Sequence, residues 1–312
     1  MIEVLKPGIF TTLQDLGRPG WQAQGVPEGG AVDRLALRVA NLMLGNSEDA
    51  VGLECTLRGP VLRFSEPGWI AVAGARVSGR PWLKPWAVKA GESVDLEEIV
   101  GGARLYVSFQ RGLEVPRLLN SASTLISSGW PGLIGRTLRT ADRLQLRASA
   151  PPPPRLGRSW SVSPRLFPPV VQPAILRVVP GPQAEWFSPQ AHRALLDHDY
   201  EVSLRSDRMG VRLQGPPILR TAGPELVSEA VAFGSVQVPP DGQPIVLSAD
   251  RQTLGGYPKI ANVISADRSV LAQVRPGGHV RFVLVSAETA QDLVVRQESA
   301  VASLRTGLAA TD

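Results

Sequence analysis

Short apolar runs, each ended within a few residues by glycine, proline or a charged group, dominate the pattern of this chain. Leu105-Tyr106-Val107-Ser108-Phe109-Gln110 alternates cleanly, and a period of two puts Leu105, Val107 and Phe109 on one face of a strand. Trp69–Ala73, Ile175–Val179, Pro244–Leu247 and His279–Val285 are runs of the same kind and are read as strands. Helical periodicity is rarer. Gly30–Leu44 carries Val32, Leu35, Ala36, Val39 and Met43 on one stripe and stops at Gly45-Asn46, which predicts an amphipathic helix with Asp33 in its first turn. Ser188-Pro189 predicts a second helix, with the serine as cap and the proline at the first position. A third is expected over Ala287–Leu304. The pattern as a whole predicts a mainly β protein with a few short helices.

The periodicity fails most visibly over Ala148–Pro173, where Pro151–Pro154 exclude both a helix interior and a central strand. This seam predicts two domains, 1–150 and 174–286, joined by a Pro-rich connection over 151–173 and followed by a helical tail over 287–312. A faint internal echo, Leu57–Arg63 against Leu213–Arg220, is consistent with two related β-domains.

Composition narrows the function classes. With 43% hydrophobic and 20% charged residues among 312, the chain reads as a soluble globular protein, and one cysteine, Cys55, excludes an internal disulfide or a multi-cysteine metal site. The N-terminal MIEVLKPGIF has no signal-peptide pattern, no run approaches the roughly 20 apolar residues of a membrane helix, and the cytoplasm is the expected compartment. Net charge is +5. Part of it clusters as Arg136, Arg139, Arg143, Arg147, Arg155, Arg158 and Arg165 around one acid, Asp142. Without interleaved aromatics this cluster favours a solvated connection over a nucleic-acid surface, and neither a nucleic-acid nor a membrane partner is expected.

Several chemistries lack their signatures. The chain carries no phosphate loop, no dinucleotide fingerprint and no serine-hydrolase elbow. His192, His198 and His279 lack metal-ligand spacing, so no metal site is expected, and Cys55, between Glu54 and Thr56, reads as a buried structural thiol.

Three polar blocks remain as candidates. In the first, Gly29 and Gly30 lead into a helix start whose free amides can hold an anion, although a plain glycine turn with a dipole-matched Asp33 explains the pattern equally well. The second is Ser206-Asp207-Arg208-Met209-Gly210, where a local Asx-turn competes with a catalytic pair. The third runs from Gln237 through Asp241, Gln243 and the Pro244–Leu247 strand to ADRQTLGGYPKI, residues 249–260. Arg208, Arg251 and Lys259 are candidates to bind developing negative charge. Gln237, Gln243 and Gln252 can orient an amide or lactam, and Tyr257 adds a phenol. Asp207, Asp241 or Asp250 can act as a base, with orientation of Arg251 the safer role for Asp250.

The blocks TTLQDLGRPG, GVPEGGAVDR, VANLMLGN, SDRMGVRLQGP and QVPPDGQPIVLSADRQTLGGYPKIANVI resemble the biotin-dependent carboxyltransferase family, also called the allophanate hydrolase subunit 2 family. The resemblance runs from about Ile2 to Val285. It implies two barrel-like parts of cyclophilin-like type and a complex with an allophanate hydrolase subunit 1-type protein. In the 5-oxoprolinase version a third, lactam-handling subunit joins, and the complex opens 5-oxoproline to L-glutamate while hydrolysing ATP. In the urea carboxylase version the module moves a carboxyl group from carboxybiotin to urea. A non-enzymatic regulatory role is implied for some relatives. This chain has neither an ATP motif nor a Met-Lys-Met biotin acceptor, so ATP would be handled by the complex and biotin enters only in the carboxyl-transfer alternative. The length favours the 5-oxoprolinase version. Ala230, Val32 and Leu254 depart from the Gly, Met and Thr usual in the family, and Asn120 and Ala141 stand where Gly is common.

Overall fold

The computed structural model describes residues 1–133, 135–148, 160–220 and 226–309. The Pro151–Pro154 tract and Arg155 and Arg158 of the basic cluster lie outside the described residues. The chain divides into two compact units. Unit 1 comprises Met1–Arg18, Gly29–Phe167 and Glu298–Asp312, and unit 2 comprises Pro19–Glu28 and Pro168–Gln297.

Unit 1 holds β1 (Ile2–Lys6), β2 (Phe10–Gln14), α1 (Arg34–Leu42), β3 (Gly52–Thr56), β4 (Val61–Phe64), β5 (Gly68–Val77), β6 (Trp86–Val88), β7 (Ser93–Asp95), β8 (Ile99–Phe109) and β9 (Arg143–Leu144). They form a sheet of order β7-β4-β1-β9 and a second of order β2-β3-β8-β5-β6. Ile2, Val4, Leu62 and Phe64 from the first meet Leu53, Val72, Leu105, Val107 and Phe109 from the second in one core. The alternation in β8 therefore has the physical meaning expected of it. Its other face is not polar, because Tyr106 is also fully buried, in a second core with Leu37, Val39, Met43 and Val301.

Helix α1 begins at Arg34 rather than Gly30, for a local reason. Gly29 and Gly30 have φ of 64° and 83°, which a right-handed helix cannot use. Asp33 is the cap itself, its Oδ1 accepting from Ala36 N at 3.0 Å. Asn120 and Ala141 have φ of 65° and 70°. Asparagine tolerates that geometry, whereas alanine is strained there. Asp142, the lone acid of the basic cluster, is forked by Arg136 with both bonds at 2.7 Å and accepts from Arg139 N. This turn is thus held by its own charges.

Unit 2 holds β10 (Ala174–Pro180), α2 (Pro189–Asp197), β11 (Asp199–Val202), β12 (Gly210–Gln214), β13 (Glu229–Ala230), β14 (Ser235–Gln237), β15 (Ile245–Leu247), β16 (Leu254–Gly255), β17 (Lys259–Val263), α3 (Arg268–Gln273) and β18 (His279–Leu284). Seven strands close a barrel, β10-β17-β14-β15-β12-β11-β18, sealed by the parallel β18–β10 pair in which Leu176 faces Phe282. Closure leaves no open edge. Strands β13 and β16 stand apart from it as a two-stranded ladder. Ser188 caps α2 through Ala191 N as expected. His192 and His198, on and just past that helix, turn back to carbonyls of Ala184 and Ala194. Helix α4 (Ala287–Ala309) contributes to unit 2 up to Gln297 and to unit 1 from Glu298. In unit 1 its Val301 is fully buried and its Glu298 forks Arg38 at 2.6 and 2.7 Å. No helix among the described residues is long and apolar enough to cross a membrane.

Candidate functional site

Barrel strands β14 and β17 place Gln237 directly opposite Lys259, which puts both side chains on one face of the sheet. Both residues are 2% exposed. The chain leaving β10 then packs against Lys259. Gly181 permits this, since a Cβ there would lie 2.2 Å from Lys259 O. Two residues on, Gln183 N donates to Lys259 O at 3.2 Å and Lys259 N donates to Gln183 Oε1 at 3.1 Å. The carboxamide is thereby oriented, and its Nε2 donates to Glu229 Oε1 at 2.7 Å. Lys259 Nζ donates to the same oxygen. These two bonds, the ammonium's first and Gln183's second, hold the Glu229 carboxyl below its ordinary range.

Glu229 arrives on the small β13–β16 ladder, opposite Gly255. A Cβ on Gly255 would meet Gln237 Nε2 at 2.5 Å, so glycine is the residue that lets the carboxamide lie against this backbone. Gln252 Nε2 donates to Gln237 Oε1 at 3.4 Å, and Gln237 Nε2 reaches Tyr257 O at 3.5 Å. The result is one cluster of a buried cation, a carboxylate and three carboxamides. Tyr257 is itself exposed and, with Ile218, Leu226, Val238 and Pro258, lines a cavity of about 480 Å³.

Arg208, Asp250 and Arg251 form a second buried group in the same unit. Arg208 forks Asp250, Nε to Oδ2 at 2.8 Å and a terminal nitrogen to Oδ1 at 2.9 Å. The turn after β15 aims the Asp250 carboxylate at Arg208, whose carbonyl also accepts from Asp250 N. Arg251 reaches Val231 O, Ser248 O and Glu28 Oε2 at 3.4, 3.4 and 3.3 Å. Since Val231 directly follows β13, Arg251 and Lys259 tie down opposite ends of the same ladder strand.

Other expected residues have local duties. Asp207 is exposed and its Oδ1 accepts from Met209 N and Gly210 N, an Asx-turn. Asp241, also exposed, accepts from Gln243 N, and Gln243 clamps the backbone N–H and C=O of Gly215. Gly29, Gly30 and Asp33 belong to unit 1. There the amides that lead into the helix are already taken, Ala31 N by Asp15 O, Val32 N by Glu54 Oε2 at 2.9 Å and Asp33 N by Tyr106 Oη at 2.8 Å. Tyr106 in turn donates to Glu54 at 2.6 Å, and burial, ahead of the Glu54 charge, pushes its phenol well up. The protein's own Asp33 thus caps the helix, and Glu54 holds the turn ahead of it. Cys55 is buried, and burial pushes its thiol up, as suits a structural residue.

Sequence reasoning misses Gln183 and Glu229. Gln183 lies 76 residues from Lys259, and the pairing of β10 with β17 brings them together. Glu229 sits in a two-residue strand too short to show a period.

Comparison with known proteins gives a consistent result. Residues 24–284 match the family model described as carboxyltransferase domain, subdomain A and B. The chain is 37% identical to the C component of 5-oxoprolinase from Escherichia coli over 306 residues, covering 96% of this chain and 95% of that protein. It is 36% identical to the corresponding 5-oxoprolinase component of Haemophilus influenzae, covering 96% of each. Among solved structures, the urea amidolyase of K. lactis superposes with a TM-score of 0.88 at 28% identity, covering 97% of this chain but 20% of that one.

Proposed function

We propose, from the premise that this chain belongs to the carboxyltransferase domain family built of subdomains A and B, that it is the C component of an ATP-dependent 5-oxoprolinase. The observation that carries this reading is the end-to-end match to the C component of a bacterial 5-oxoprolinase, 96% of one chain against 95% of the other. The Lys259 cluster supports it chemically. A lactam offers one N–H and one C=O side by side, and the carboxamides of Gln237 and Gln252 supply complementary acceptors and donors. Lys259 supplies a fixed cation for negative charge. Arg208, Asp250 and Arg251 stiffen the loops that carry these groups.

The chain offers no phosphate loop, so ATP is held elsewhere in the complex, by an allophanate hydrolase subunit 1-type B component or a lactam-handling A component, in the cytoplasm. ATP would supply activation of the lactam carbonyl, and this chain would bind and orient the ring. The expected outcome is no turnover by the purified chain alone, and glutamate formation from 5-oxoproline and ATP once the A and B components are added. Equal turnover by A and B without this chain would refute the assignment.

The likeness to urea amidolyase favours a second reading, carboxyl transfer from carboxybiotin to an amide. Saturating avidin then abolishes turnover by the assembled complex. Under the leading reading avidin has no effect.

A further inference from the structure

Two donors in unit 2 converge on one carboxylate oxygen, and the Gln183 carboxamide is oriented without help from the carboxylate. Gln183 is locked to the backbone of Lys259 by bonds of 3.2 and 3.1 Å, on elements packed closely enough to require glycine at 181, and the Lys259 side chain is held by burial. A pair of donors whose geometry is set in advance binds a carboxylate with little ordering cost. Glu229 is held differently. Both donors land on its Oε1, its side chain is 40% exposed against 3% for Lys259, and its two-residue strand lies outside the barrel.

We propose that Lys259 Nζ and Gln183 Nε2 form the carboxylate subsite of this unit, and that Glu229 fills it until a small carboxylate displaces it. The identity of that ligand as 5-oxoproline rests on the function proposed above. A buried ammonium strongly resists losing its anion. Glu229 therefore leaves only as another carboxylate arrives, and neutrality is kept throughout the exchange. The subsite also explains a choice of substrate. 5-Oxoproline carries a carboxylate beside its lactam, urea carries none, and Gln237 lies on the same face of the sheet as Lys259 to meet the adjoining amide.

The test uses the full chain and acetate as probe. Thermal midpoints are followed against acetate, chloride and acetamide at constant ionic strength, for wild type and Glu229→Gln. If Glu229 fills the subsite in roughly nine molecules of ten, its removal tightens acetate binding about tenfold. Chloride and acetamide gain nothing comparable. Glu229→Ala gives the same answer should the glutamine variant fold poorly. In the reconstituted complex, Glu229→Gln lowers the KM for 5-oxoproline and leaves that for ATP unchanged. Unchanged acetate affinity, or chloride matching acetate, overturns the subsite. A wild-type complex that leaves 5-oxoproline untouched refutes the functional reading alone, and the acetate titration still decides the subsite.

Discussion

Replacing Asp250 by asparagine keeps the shape of the Arg208 pair and removes its charge. The two bonds are 2.8 and 2.9 Å, in register with the planar guanidinium, and both side chains are 7% exposed. Hydrogen bonds to charged groups contribute about 1.5–3 kcal/mol each, and breaking a buried pair by removing one partner costs about 3–5 kcal/mol. A loss of about 3–5 kcal/mol is therefore expected. The chain contains its own control. Arg281 and Asp199 pair at 2.6 Å in the same barrel but are 46% and 31% exposed, so Asp199→Asn is expected to cost about 0–1 kcal/mol. Urea unfolding followed by circular dichroism reads both, with the midpoint shifting and the slope retained. The double replacement Arg208→Met with Asp250→Leu should recover much of the loss, because the expense lies in stranding one buried charge. A cost for Asp250→Asn within about 1 kcal/mol of the Asp199→Asn control, or a double variant as poor as the sum of its singles, would refute this account.

Three further outcomes follow from the same physics. Tyr106→Phe removes the phenol oxygen that donates to Glu54 and accepts from Asp33 N, and should lower the stability of unit 1 by about 1–3 kcal/mol in urea unfolding. Ala141→Gly relieves a φ of 70° and should stabilise, by up to about 1 kcal/mol, seen as a raised unfolding midpoint. For Glu229 the folded carboxyl lies below its ordinary value of 4.5, so its stabilising effect is complete above that value and is lost as pH falls through the lowered one. The stability difference between wild type and Glu229→Gln should accordingly be flat at neutral pH and shrink on acidification.

What the sequence discloses and what it hides divide along physical lines. Alternation in β8 and the Ser-Pro start of α2 were legible because each is decided by neighbouring residues. The start of α1 was misplaced by a few residues because the helix stripe outweighed the two glycines, whose positive φ rules. The block ADRQTLGGYPKI was recognisable as too polar for a plain turn, yet its residues split by role. Asp250 holds Arg208 and Arg251 braces the backbone at Val231 and Ser248, while Gln252 and Lys259 enter the carboxamide cluster. Gln183 and Glu229, which complete that cluster, carry no local signal, since their partners are assembled by the closed barrel and by a ladder of two residues per strand.

Helix α4 bears on what is inherited as against what folds. The family model matches residues 24–284. Unit 1 nevertheless draws β1 and β2 from before that stretch, and Val301, with the Arg38–Glu298 fork, from after it. A gene fragment cut to residues 24–284 would carry every polar group of the Lys259 cluster while opening the core of the other unit. The portable module is thus larger than that matched stretch, and fusions that borrow it intact must bring along the flanks on both sides.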